Sequence, residues 1–124
     1  MPFARISLHR GKSAEYLQAL SQGLHDALVE SFEVPKTDRF QVIHQHEVGE
    51  LIFDPHYLGG PRSHDFVLIA ITAGRARSVT TKQHFYHDLV EKLGQATGLN
   101  AEDVMVVIAT TAGDEWSFGG GRGN

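Results

Sequence analysis

The chain contains no cysteine, which excludes a disulfide framework, a thiolate metal site and a cysteine nucleophile. Positive charge is scarce: 11 Lys and Arg stand against 15 Asp and Glu, for a formal net charge of -4. That balance argues against broad electrostatic binding to nucleic acid or to an anionic membrane. No apolar run approaches the roughly 20 residues of a membrane span. The first residues also lack the basic stretch and apolar segment of a secretory signal. No glycine-rich phosphate loop precedes a helix, and the GGGRG near the end has neither the strand before it nor the helix after it that such a motif requires. Nucleotide binding is not expected, and no cofactor of any kind is called for. What remains is an ordinary globular composition, 41% hydrophobic and 21% charged over 124 residues. It suits one domain with a real core, expected in the cytoplasm and acting on small molecules or protein partners.

Residues 1–124 read as a single domain built from a unit written twice. In the first copy, residues 2–8 alternate, with Ala4, Ile6 and Leu8 on one face and Phe3, Arg5 and Ser7 on the other, a strand pattern. Ser13 caps a helix whose stripe is Leu17, Leu20, Leu24, Ala27 and Leu28, and Pro35 forces it to end near Phe32. A second strand is expected at 39–46. In the second copy, residues 66–72 form an apolar strand. Ser78 caps a helix with the stripe Phe85, Leu89, Leu93 and Ala96, Gly98 terminates it, and residues 104–109 close the unit as a strand. A shift of 65 residues carries Ser13 onto Ser78, Leu24 onto Leu89 and Asp38 onto Asp103. The pseudo-repeats span 2–46 and 66–110. They are joined by a Gly- and Pro-rich connection, 47–65, with a turn or short strand at Leu51–Phe53, and followed by a tail, 111–124.

Each crossover makes its two strands parallel. The expected fold is therefore α+β: two tandem β-α-β units forming a four-stranded mixed sheet with two helices on one face. The strands at 66–72 and 104–109 are apolar on both faces, yet two helices cover only one. Association of subunits through the sheet is the solution expected.

Four features carry candidate chemistry. Met1 is normally removed before proline, which leaves Pro2 as a secondary amine held at the start of a strand. An α-amino group titrates near neutrality, at about 7.7–8.0, and serves as acid, base or nucleophile. Arg75 and Arg77 lie between an apolar strand and a helix N-terminus, a place suited to a carboxylate. A solvated surface pair is the alternative, and Arg10 and Lys12 occupy matching places in the first unit. Asp38 either approaches Pro2 or caps a turn. Trp116 walls a pocket or anchors the tail, with Phe118 as a second anchor. The pairs His44/His46 and His84/His87 share faces, but nothing is spaced to complete a metal site, and none is assigned. His25, inside the first helix, is expected to pack or hydrogen-bond.

The segments MPF at the start, VPKTDRFQ, RARS followed by KQHFY, and WSFG near the end resemble the tautomerase superfamily, and in particular its malonate semialdehyde decarboxylase branch. The resemblance implies that Pro2 is the catalytic proline and that Asp38 assists it or a water. It implies that Arg75 and Arg77 hold and polarise the acid substrate, and that Trp116 and Phe118 line the pocket. It also implies a homotrimer and no cofactor. The expected reaction is decarboxylation of a small 3-oxo acid such as malonate semialdehyde, a carboxylate-bearing carbonyl compound. Keto–enol tautomerisation or hydration of 2-oxo acids by the same proline is the first alternative, and a non-catalytic trimeric binding protein the second. A dehalogenase would need a further glutamate to activate water; Glu115 is near, but DEWSF fits the decarboxylase pattern better.

Overall fold

In the computed structural model, which describes residues 2–123, the chain runs β1 (Pro2–His9), α1 (Ala14–Ser31), β2 (Gln41–His46), β3 (Val67–Ala73), α2 (Val79–Thr97) and β4 (Val104–Thr110). The sheet order is β2-β1-β3-β4. Strands are parallel within each β-α-β unit, and the units meet antiparallel at β1 and β3, with Ile6 opposite Ile69. The two units are thus related by an approximate twofold through the centre of the sheet. The expected α+β architecture is the one observed.

Ser13 and Ser78 cap their helices as expected, each hydroxyl accepting an N–H three residues on, from Tyr16 and Thr81, at 3.1 Å. α2 stops at Gly98, whose φ of 79° is a left-handed conformation that suits glycine. α1 stops differently. After Phe32 the left-handed position is taken by Glu33 at φ 59°, and the N–H groups of both Phe32 and Val34 reach the Leu28 carbonyl. Pro35 follows two residues later, where it cannot continue a helix.

Both helices pack on one face of the sheet. Ala4, Ile6 and Leu8 of β1 and Val67, Ile69 and Ile71 of β3 meet Leu20, Leu24 and Leu28 of α1 and Phe85, Leu89 and Leu93 of α2. The helices approach closely at Gly23, where a Cβ would lie 2.9 Å from Leu93 Cδ2. The α2 stripe ends sooner than its spacing suggests: Ala96 is exposed, and Leu99, beyond the glycine cap, fills the core instead.

The opposite face carries no helix. Val42, Met105 and Val107 are 38%, 45% and 49% exposed there, so the apolar surface expected from the doubly apolar strands is present and uncovered. The connection 47–65 is irregular. Leu51–Phe53 forms no strand, because Phe53 instead stacks on Phe66 at 4.3 Å between ring centroids. The connection is fastened from the second unit: buried Asp103 accepts the Ser63 N–H at 2.6 Å and its hydroxyl at 2.7 Å. Among the described residues no helix is long and apolar enough to cross a membrane.

Candidate active site

The strand directions decide which residues meet. β1 and β2 are parallel and start at the same end of the sheet; β3 and β4 run the other way and finish there. α1 arrives at that end and α2 leaves from it. Pro2, the segment 32–40, the connection 74–78 and the tail after Thr110 are therefore gathered at one end, although they are far apart in sequence.

Pro2 is buried and pairs with Ala73 across the β1–β3 junction. Its surroundings are pinned by backbone bonds: Ala4 N–H donates to the Phe40 carbonyl at 3.0 Å, and Thr111 donates its N–H and its hydroxyl to the Ala73 carbonyl at 2.9 and 3.0 Å. The start of β1 is held from both sides, as an amine on a sheet requires and a dangling terminus would not provide. The expected loss of Met1 lies outside the described residues.

Arg75 and Arg77 are not equivalent. Arg77 is buried. Its Nε donates to the Phe32 carbonyl at 3.1 Å, its Nη1 donates to the Arg75 carbonyl at 2.9 Å, and its guanidinium lies 4.4 Å from the Phe32 ring centre. Burial lowers its pKa and the Arg75 charge lowers it further, while Glu33 and Asp38 act in the opposite direction. An arginine so placed stays charged, so Arg77 is a fixed positive centre. Arg75 is exposed and donates from Nη1 to Glu33 Oε1 at 3.1 Å; the same oxygen lies 4.0 Å from Arg77 Nε.

Asp38 is half-buried just after the turn at Lys36–Thr37, with its N–H donated to the Pro35 carbonyl at 3.0 Å. It lies three residues ahead of β2 rather than at its first residue, and it is close enough to Arg77 for its charge to be felt there. His25 beneath this turn is buried and bonds the Lys36 carbonyl through Nε2 at 3.0 Å, the structural part expected of it.

The tail is ordered by its aromatic residues. Trp116 Nε1 donates to Thr111 Oγ1 at 2.6 Å, and Trp116 and Phe118 stack at 5.6 Å. With Phe3, Phe40 and Ser117 they line a cavity of about 420 Å³. Neither arginine lines that cavity. Phe3 and Phe40 were not singled out in the sequence. Strand alternation alone puts Phe3 on the helix-free side, and the DRFQ run puts Phe40 beside β1. Glu115 is used locally, its carboxylate accepting the Ala112 N–H at 2.8 Å, which fits a turn-stabilising part better than water activation.

The histidine pairs stand apart from this end. His44 contacts Arg5 at 3.3 Å on the helix-free face, and His46 pairs with His9, the far end of β1 from Pro2. His84 and His87 are exposed on α2.

Two models, each described as a tautomerase enzyme, match the chain over residues 38–119 and 2–60. Probable tautomerase YusQ of Bacillus subtilis (strain 168) is 36% identical over 122 residues, covering 98% of this chain and 96% of that protein. Among solved structures, a malonate semialdehyde decarboxylase superimposes with a TM-score of 0.91 at 33% identity, covering 97% of this chain and 92% of the other. FG41 malonate semialdehyde decarboxylase inhibited by 3-bromopropiolate gives 0.89 at 34% identity, covering 97% and 91%. A strand-held proline, a pair of arginines at a helix start and two β-α-β units thus occur in a chain that matches these enzymes almost end to end; it belongs to the tautomerase superfamily of enzymes.

Proposed function

We propose that this enzyme decarboxylates a small 3-oxo acid such as malonate semialdehyde, without a cofactor, using Pro2 as a secondary amine freed by loss of Met1. The observation that carries the reading is the gathering of Pro2, Asp38 and the two arginines at one end of the sheet, in a chain 33–34% identical to malonate semialdehyde decarboxylases along nearly its whole length.

In this mechanism Arg75 takes the substrate carboxylate and Arg77 supplies fixed positive charge beside it. The carboxylate is held with its C–C bond perpendicular to the carbonyl plane. Pro2 either donates a proton to the carbonyl oxygen or forms an iminium with the aldehyde. In both routes the electrons of the breaking C–C bond form a carbon–carbon double bond to the carbonyl or iminium carbon as CO2 leaves, and the π electrons of that carbonyl or iminium move onto its oxygen or nitrogen. The resulting enol or enamine is then protonated on carbon. Asp38 favours the protonated form of Pro2, and preorganised charge supplies much of the rate. In this reading Trp116 and Phe118, which with Phe3 and Phe40 line an aromatic cavity at the same end of the sheet, wall one side of the substrate pocket. Three chains associate through the helix-free face, as its exposed Val42, Met105 and Val107 suggest.

A second reading, ketonisation of an enolised 2-oxo acid with neutral Pro2 as base, is favoured by the 36% identity to a probable tautomerase. One experiment separates them: CO2 release from malonate semialdehyde and ketonisation of enolised phenylpyruvate, each with wild type and Pro2→Ala, alongside the intact mass. The decarboxylase reading expects Met1 to be absent and Pro2→Ala to slow CO2 release by about 10²- to 10⁴-fold. Proline-dependent ketonisation without CO2 release assigns the tautomerase reaction instead.

A further inference from the structure

We infer that Glu33 is an internal carboxylate that occupies Arg75 in the free enzyme and must be displaced by the carboxylate of the substrate, so that it sets the affinity for acids. The inference rests on the reading of Arg75 and Arg77 as the carboxylate site, and deepens it.

Three observations meet at this residue. Its backbone sits at φ 59°, a conformation in which glycine is usual and glutamate is not. The second unit has Gly98 at its own helix end, so an ordinary solution is present in the same molecule and was not used here. The conformation directs the side chain back over the α2 approach, where Oε1 lies 3.1 Å from Arg75 Nη1 and 4.0 Å from Arg77 Nε. A carboxylate poised between two guanidinium groups has the geometry of a carboxylate ligand.

Arg77 does not depend on Glu33 for its position, because the Phe32 and Arg75 carbonyls already fix it. The guanidinium of Arg75 pairs with Glu33, and both members of that pair are more than half exposed. Pairs of that kind are weak and screened by salt. An incoming carboxylate therefore exchanges with Glu33 at small cost, and α1 need not move. Glu33 neither touches the reacting carbonyl nor transfers a proton; it acts through Arg75 as a positioning residue.

The test is titration calorimetry with malonate, an unreactive dicarboxylate, on wild type, Glu33→Gln, Arg75→Gln and the double variant, so that turnover is not required. Glu33→Gln is expected to tighten malonate by about two- to fivefold. The gain should shrink as NaCl is raised and vanish in the Arg75→Gln background. With a turned-over acid, the same variant should lower KM more than it alters kcat. Affinity that is unchanged or weaker in Glu33→Gln, or binding measurable in neither protein, overturns the inference. If Arg75→Gln leaves malonate affinity unaltered, the carboxylate-site reading fails with it. If Arg75→Gln weakens binding while Glu33→Gln changes nothing, only the part assigned to Glu33 fails.

Discussion

Glu33 and Gly98 correspond under the shift of the repeat and both take left-handed backbone where a helix ends, Gly98 as the C-cap of α2 and Glu33 one residue past the C-cap Phe32 of α1, so they make a pair for measurement. Replacing Gly98 by alanine forces a Cβ into a left-handed backbone and should cost about 1 kcal/mol in urea unfolding. Glu33→Gly should move stability the other way, by up to about 1 kcal/mol, since relief of the strained conformation outweighs the added freedom of the unfolded chain. The arginines divide in the same fashion. Arg77→Gln removes donors to a buried carbonyl and should cost about 1–3 kcal/mol, whereas Arg75→Gln, which loses only an exposed pair, should cost less than about 0.5 kcal/mol. A loss of activity in Arg75→Gln would then be separable from loss of fold. Pro2, Asp38, Arg75 and Arg77 could be picked out in the sequence as candidates because each lies at or just ahead of a strand or helix start, and the fold brings them to one end of the sheet. The inequality of the two arginines was not legible. It depends on the Phe32 carbonyl and ring, which lie 45 residues away in the chain.

At the scale of elements, β1 was legible from a period of two in Ala4, Ile6 and Leu8, the helices from a period of 3.6 as in Leu20, Leu24 and Leu28, and β3 and β4 as short runs apolar on both faces. The misreadings occurred where a local pattern competes with a distant contact. Ala96 continues the α2 stripe on a helical wheel, but the helix outruns the sheet it packs on, and Leu99 closes the core after the turn. Of the turn or short strand expected at Leu51–Phe53, the strand is not formed, since its phenylalanine is taken by Phe66, and the chain bends at Leu51 after a turn at 48–50. The close helix approach at Gly23 was equally silent, because a glycine in a helix says nothing about its neighbour. Gly23→Val should destabilise by about 1–3 kcal/mol through overpacking against Leu93, read as a lower midpoint with an unchanged denaturant slope.

For the whole molecule, the helix-free face is the feature with the largest consequence outside the site. A charge in the middle of it, Val107→Glu, should shift the mass measured by light scattering from three chains toward one chain of 13.7 kDa. If the mass stays at three chains, the association runs through another surface. The approximate twofold bears on the count of reacting centres as well. It gives the sheet two similar ends, and at the far one Arg10, Lys12 and Asp103 stand where Arg75, Arg77 and Asp38 stand at the near one. There the charges are spoken for: Arg10 pairs with Glu47, Lys12 with Asp65, and Asp103 holds Ser63. A polypeptide also starts only once, so the far end has an ordinary amide bond where the near end would have its amine. In the proposed mechanism the repeated scaffold therefore carries a single reacting amine, and an acetylenic acid that alkylates Pro2 should saturate at one equivalent per chain.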